Sequence, residues 1–299
     1  MFVHDIVITR VSVVTGANKG LGLETSRKLA SNGITVIVTA RNEKNGTDAV
    51  EKLKASGLSD VVFHPLDVKD PASIDSLINN AGQNGTELNM ELVASVLDEA
   101  GMLKGVTIST YEMAVDCLNT NYFGTKKVTE ALLPLLQLSK SARIVNVTSY
   151  YGLLIVKTEL SDTDNLSEEK IEEIVQWFLK DFKEDTLKAN GWPLTISAYK
   201  VSKAAINAYT KLMAKKHPNI LINCVHPGYV QTDITYGTGP LTPEEGARAP
   251  VMVALLPDNG PSGRYFHEMQ EAAYYLMHIC DLKILELSYL IESLKQFHV

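Results

Sequence analysis

Short β-branched runs and longer amphipathic runs take turns along the first part of the chain. Val11-Ser-Val-Val-Thr15, Thr35-Val-Ile-Val-Thr-Ala40 and Val61-Val-Phe63 with Leu66 are too short for helices, and each predicts a buried strand. Between them lie two helical patterns. One follows a glycine-rich turn and runs to Ala30, closed by Asn32-Gly33; the other is a charged amphipathic run, Gly46–Ser56, ending at Gly57. Strand, helix, strand, helix, strand at this spacing predicts a parallel sheet with right-handed crossovers and helices on both faces.

Two further apolar runs, Arg143–Thr148 and Asn219–Val225, extend the strand pattern. An acidic stretch, Leu160–Lys188, lies between them. Its apolar positions Ile171, Ile174, Val175, Phe178, Leu179 and Phe182 share one helical face, which reads as a buried face rather than a ligand box. Ser167, with Glu168 and Glu169 behind it, is a plausible capped start. Hydrophobic residues make up 45 % of the 299, enough to bury a core, so disorder is excluded as the main state. A net charge of −7 argues against nucleic-acid binding, because no basic face is available. Cys117, Cys224 and Cys280 form no CxxC pair, and the seven histidines form no HExxH. No metal site is expected, and a reducing, cytoplasmic location is. No apolar run is long enough for a membrane span, and Met1–Arg10 has no basic leader pattern.

The turn Gly16-Ala-Asn18-Lys19-Gly20-Leu21-Gly22 falls between the first strand and the first helix. Glycines there let the backbone turn tightly and approach a pyrophosphate at the helix N-terminus; a merely flexible turn is the plainer alternative. The flanking strand and helix favour nucleotide binding. The end of the second strand usually carries an acid for the ribose of NAD, but here it reads Thr39-Ala40-Arg41. Arg41 and Lys19 suit the 2′-phosphate of NADP(H), unless Arg41 is only a solvated loop charge.

Tyr199 and Lys203 sit four apart at the start of a helix running to about Lys215. A nearby ammonium lowers a phenol's pKa, yet a Tyr/Lys pair alone is most often a surface pair. This pair has company. Thr15 to Gly22, Asn79-Asn80-Ala81-Gly82, Asn121, Ser149-Tyr-Tyr-Gly152, Tyr199…Lys203 and Pro227-Gly228-Tyr-Val230-Gln-Thr232 occur in this order. Together they resemble the short-chain dehydrogenase/reductase superfamily, over roughly Val11 to Phe266. Leu135-Leu-Gln-Leu-Ser139, Asn190-Gly-Trp-Pro193 and Gly260-Pro-Ser-Gly263 are similar to the plant salutaridine reductase, neomenthol dehydrogenase and menthone reductase group. The resemblance implies a Rossmann-type doubly wound sheet and an NADPH-dependent reductase of a ketone or aldehyde carbonyl on a terpenoid- or alkaloid-like substrate.

It also implies roles. Tyr199 would protonate the carbonyl oxygen, Lys203 would depress the Tyr199 pKa and hold the nicotinamide ribose, and Ser149 would hydrogen-bond the substrate oxygen. Asn121 would support a proton-relay water. Asp67 and Val68 would meet the adenine and Asn80 the adenosine side. Gly16, Asn18, Lys19, Gly20, Leu21 and Gly22 would hold the phosphates, with Arg41. Pro227, Gly228, Val230 and Thr232 would line the nicotinamide. The helical insertion at 160–190 implies a monomer, or else a substrate lid. Tyr150, Tyr151, Leu153, Trp192, Tyr229 and Tyr236 line an apolar pocket or are ordinary core.

The chain also departs from the family pattern. Asp67 should end the third strand and Asn80 the fourth, yet a crossover helix plus a strand does not fit between them. The expected sheet therefore has a shortened third-to-fourth-strand crossover. A single domain is expected over 10–266, with 267–299 an atypical extension carrying irregular apolar positions. A catalytically silent or unstable relative with a damaged nucleotide-binding core is the alternative to an active reductase.

Overall fold

The computed structural model describes residues 10–69, 79, 81–88, 107–153, 160 and 165–274. Strands β1 (Val11–Val14), β2 (Thr35–Ala40) and β3 (Val61–Pro65) pair in parallel in the order β1-β2-β3. Helices α1 (Gly20–Ser31) and α2 (Glu43–Ala55) make the crossovers. A two-residue antiparallel ladder joins β4 (Glu87–Leu88) to β5 (Thr107–Ile108). Then come α3 (Tyr111–Leu118), a π-helical turn at Asn119–Phe123 and α4 (Gly124–Leu138). Strands β6 (Arg143–Val147), β7 (Leu221–His226) and β8 (Tyr265–His267) are again parallel, and β9 (Gln270–Ala272) turns back antiparallel on β8. The sheet thus runs past Phe266. Helices α5 (Glu168–Lys183) and α6 (Ser197–Lys216) separate β6 from β7; α7 (Pro243–Gly246) and α8 (Arg248–Ala254) precede β8.

Strand alternation makes the fold doubly wound. Val14, Val36, Val38 and Val61 point to α1 and α2, and Val145 and Val225 to α8. Val13 points to α4, and Ile144 and Ile222 to the layer of α3, α5 and α6. Each face therefore buries its own apolar set, as the unbroken apolar strands require.

The junction between the two parallel ladders is polar. Asn79 Nδ2 donates to Thr129 Oγ1 at 2.8 Å and to Asn146 Oδ1, on β6, at 3.3 Å. The Ala81 amide donates to Thr15 Oγ1, after β1, at 2.6 Å. The segment that starts at Asn79 is thus pinned to the carboxyl ends of both ladders. Among the described residues no strand pairs with the free side of β1. Pro71–Ile78, on which the shortened crossover falls, lies outside the described residues. Its neighbourhood does not. On the α4 face, α4 covers Val13 and Leu66 but leaves Val11 58 % and Val62 48 % exposed.

Helix α5 starts at the expected cap. Ser167 Oγ accepts from the Lys170 amide at 3.2 Å, and Ile171, Ile174, Val175, Phe178 and Leu179 are buried. Asp181 is buried on the same helix because Trp192 Nε1 donates to its Oδ2 at 2.7 Å. Trp192 is therefore core, stacked edge-on against Phe178 and Trp177.

Candidate active site

The glycine turn closes the end of β1. Gly16 and Gly20 have φ of +59° and +53°, a region that side-chain-bearing residues rarely adopt. A Cβ on Gly16 would stand 3.1 Å from Ala81 Cα. Lys19 is the N-cap residue of α1, with extended backbone and no side-chain cap. The first amides of α1 therefore carry no protein cap, and they face the crevice at the strand ends with Asn18 and Leu21 half-buried beside them. Gly22 is buried in the first turn.

The other residues expected to hold the nucleotide gather around this crevice. Arg41 is exposed just after β2. Asp67 is half-buried, and its Oδ1 accepts from the Lys69 amide at 3.0 Å. Val68 is buried against Gly124, where an added Cβ would stand 2.8 Å from Val68 Cγ2. Pro227 and Val230 are buried, and Gly228 adopts φ +90°. Thr232 caps a short 3₁₀ turn, Asp233–Thr235, and its Cγ2 would be 3.4 Å from a Cβ on Gly20. Lys19 pairs with Asp233 across the same gap. Asn80 lies outside the described residues.

Ser149, Tyr199 and Lys203 converge from two elements. Ser149 follows β6, and Tyr199 and Lys203 share one face of α6. The residue before α6, Ile196, sits at φ +43°, a strained conformation for a β-branched side chain at the entry to the site. Lys203 is buried; its Nζ donates to the Val147 carbonyl at 2.9 Å and lies 5.5 Å from the centre of the Tyr199 ring. Burial pushes the Lys203 ammonium down to about 8. Burial also pushes the Tyr199 phenol up, against the pull of its hydrogen bond with Ser149. Tyr151 stacks on Tyr150 at 4.2 Å and meets Tyr199 edge-on at 6.4 Å, so these two rings wall the phenol. Tyr236 is exposed and donates to the Thr86 carbonyl at 2.9 Å.

Asn121 is fully buried in the π-helical turn, a distortion frequent at functional sites. Its Oδ1 accepts from the Gln83 amide and its Nδ2 donates to the Gln83 carbonyl, both at 2.8 Å. The side chain is thus clamped on the main chain that follows Asn79-Asn80-Ala81-Gly82. A Cβ on Gly82 would stand 3.4 Å from Asn121 Oδ1 and 3.8 Å from Lys203 Nζ, so the two head groups flank one point.

His226, at the end of β7, was not singled out by the sequence. It is buried, with Nε2 lacking a hydrogen-bond partner, its ring 5.3 Å from Tyr150 and 5.0 Å from His267. Burial, then His267 and Lys203, pushes it down to about 3. The unfolded chain therefore binds a proton near pH 6.5 that the folded chain refuses. Stability should be full above about 6.5 and fall as pH drops toward 3. His226→Phe should flatten that acid arm in a series of thermal melts; an unchanged arm would assign it to other groups.

A nucleotide crevice at the switch point of a doubly wound sheet, with a half-buried tyrosine and a buried lysine beside it, defines a dinucleotide-dependent oxidoreductase. Residues 10–159 match the short chain dehydrogenase family, and the chain belongs to that family. A short-chain dehydrogenase/reductase from Saponaria officinalis is 46 % identical, over 86 % of this chain and 93 % of its own length. The (+)-neomenthol dehydrogenase of Capsicum annuum is 45 % identical, over 88 % and 96 %. That alignment spans 303 positions yet covers only 88 % of these 299 residues. The pepper protein therefore carries residues inside the aligned span that this chain lacks. Among solved structures, salutaridine reductase from Papaver somniferum superposes with a TM-score of 0.80 at 44 % identity, covering 87 % of this chain and 99 % of that one. Menthone neomenthol reductase from Mentha piperita superposes with a TM-score of 0.76 at 42 % identity, covering 88 % and 100 %.

Proposed function

We propose that the chain is a monomeric, cytoplasmic, NADPH-dependent reductase of a ketone or aldehyde on a small apolar, terpenoid- or alkaloid-like substrate. The observation that carries this reading is the meeting of Ser149, Tyr199 and Lys203 beside the uncapped start of α1. Relatives named salutaridine reductase and (+)-neomenthol dehydrogenase support the reaction class. The residues fit the cofactor: two left-handed glycines and free helix amides suit a pyrophosphate, and the end of β2 offers Arg41 where an acid would select NAD. Bound there, NADPH supplies the hydride.

The protein's own groups do the rest. Ser149 donates a hydrogen bond to the carbonyl oxygen and stabilises the charge that develops on it. Tyr199 gives that oxygen its phenolic proton. The Lys203 ammonium stabilises the phenolate left behind and holds the nicotinamide ribose. Asp67 and Val68 enclose the adenosine side, and Pro227, Gly228, Val230 and Thr232 the nicotinamide side. A catalytically silent relative is the second reading, and the exposure of Val11 and Val62 favours it. Nucleotide binding separates the two: NADPH should raise the melting temperature, as a ligand of the native state does. No shift with NADPH or NADH would sink the reductase reading.

Arg41→Asp should turn the preference toward NADH, because a carboxylate repels a 2′-phosphate and accepts from a 2′-hydroxyl. The ratio of kcat/KM for the two cofactors measures it. An unchanged ratio would mean that Arg41 does not read the phosphate.

A further inference from the structure

The Asn121 side chain has a third partner besides the two Gln83 atoms. Its Nδ2 donates to Ser202 Oγ at 3.0 Å, and Ser202 Oγ in turn donates to the Tyr199 carbonyl at 2.7 Å. Ser202 is fully buried, three residues after Tyr199 and directly before Lys203. A hydroxyl has one donor and two acceptor lone pairs. Here the donor closes the first turn of α6 and a lone pair receives Asn121. Cys117 Sγ, on α3, also accepts from Asn121 Nδ2 at 3.4 Å, and among the described residues Ser202 is the side chain that joins the π-helical turn to the turn of α6 carrying both reacting groups.

We infer that Ser202 is a positioning residue for the reduction, holding the Tyr199–Lys203 turn in register with Asn121 and so with the main chain at Gln83. The inference rests on the reductase reading of this site. The arrangement is a two-jawed clamp. Gln83 grips the Asn121 amide from the nucleotide side, and its own side chain is fixed by Asp116 at 2.7 Å and Thr120 at 3.2 Å. Ser202 grips the same amide from the helix side. Because Asn121 Oδ1 and Lys203 Nζ flank one point beside Gly82, a rotation of the amide alters what the ammonium faces. Releasing the helix jaw therefore changes both where the phenol stands and how well its anion is stabilised. Bad positioning is costly: a displacement of about 1 Å can lower a rate by about 10²-fold.

Ser202→Ala removes the hydroxyl and adds no volume, and Asn121 keeps both Gln83 bonds. The expected result, with menthone and NADPH as the probe pair, is a fall in kcat of about tenfold or more with KM changed less than about twofold. The pH profile of alcohol oxidation should also move upward by about half a pH unit, since the phenolate is less well stabilised. Ser202→Cys, whose thiol accepts weakly, should fall between. Combining Ser202→Ala with Asn121→Ala should cost little more than Asn121→Ala alone, because one residue acts through the other. A purely structural serine would lower the melting temperature, add to the Asn121 loss and leave the pH profile in place, and that pattern would overturn the inference. A second measurement needs no turnover. The Asn121 side-chain amide protons, followed by NMR, should exchange faster in Ser202→Ala, and unchanged exchange would also overturn it. Faster exchange in a protein whose wild type binds NADPH but reduces no carbonyl would keep the clamp and reject the reductase reading.

Discussion

Tyr199→Phe is expected to abolish turnover while NADPH affinity stays nearly intact. The substitution removes one oxygen and its proton. The ring still packs on Tyr151, and Lys203 keeps its bond to the Val147 carbonyl. General acid catalysis contributes about 10²–10⁴-fold, so kcat should drop by at least that lower bound. Nothing else described in the crevice is ready to replace the phenol. Cys117 is buried and pushed up to about 12, and Ser149 is a far weaker acid. The measurements are steady-state kcat and a fluorescence titration with NADPH. A variant that keeps more than about a tenth of wild-type kcat would assign the proton to another group.

The second large effect concerns stability. A version of the chain with a full helix and strand inserted between Ser73 and Leu77 should melt several degrees higher than the chain as it stands. The geometry is simple. Parallel strands run the same way, so the chain must return along the sheet after Asp67. A strand of about five residues is about 17 Å long, and a connection of nine residues reaches at most about 30 Å at about 3.3 Å each, so the return alone takes about half of it and leaves room for no more than about one helical turn. Among the described residues α4 alone then covers that side of β1 to β3. Val11 and Val62, both on the α4 face, are 58 % and 48 % exposed, as a missing cover requires. Apolar surface left in water costs about 25 cal/mol per Å², so the cover of one helix is comparable with the whole margin of about 5–15 kcal/mol. Paired thermal melts and limited proteolysis would test it. Equal melting temperatures and equal protease resistance would show that the short connection closes the sheet adequately.

Elements built from local chemistry were readable in the sequence. The three β-branched runs became β1 to β3, and Ser167 caps α5 where its hydroxyl and the two following acids pointed. The start of α2 shows where local reading falls short. The amphipathic run suggested Gly46, but the helix starts at Glu43, because Asn42 Oδ1 accepts from the Asn45 amide at 2.9 Å. Gly46 lies inside the helix rather than at its edge. A Cβ there would stand 1.9 Å from the Phe63 ring on β3, so the glycine is a packing requirement that only the folded sheet reveals. The same division holds in the site. Spacing joined Tyr199 to Lys203, but the grip of Gln83 on Asn121 spans 38 positions and leaves no periodic trace. His226 and Trp192 differ for the same reason: burial depends on what the chain brings over them, not on their neighbours in sequence.

Helix α5 has a consequence for how the protein meets dilution. Its apolar side, from Ile171 to Leu179, closes over α3 and α6, and Glu168 ties it outward to Lys126 on α4 at 2.9 Å and to Lys216 on α6. The cover is supplied by the same polypeptide, so its local concentration is set by chain connectivity and not by the amount of protein in solution. Beneath it lies the helix that carries Tyr199 and Lys203. On the monomeric reading proposed above, the set of the helix that carries Tyr199 and Lys203 would not wait on an encounter with another copy.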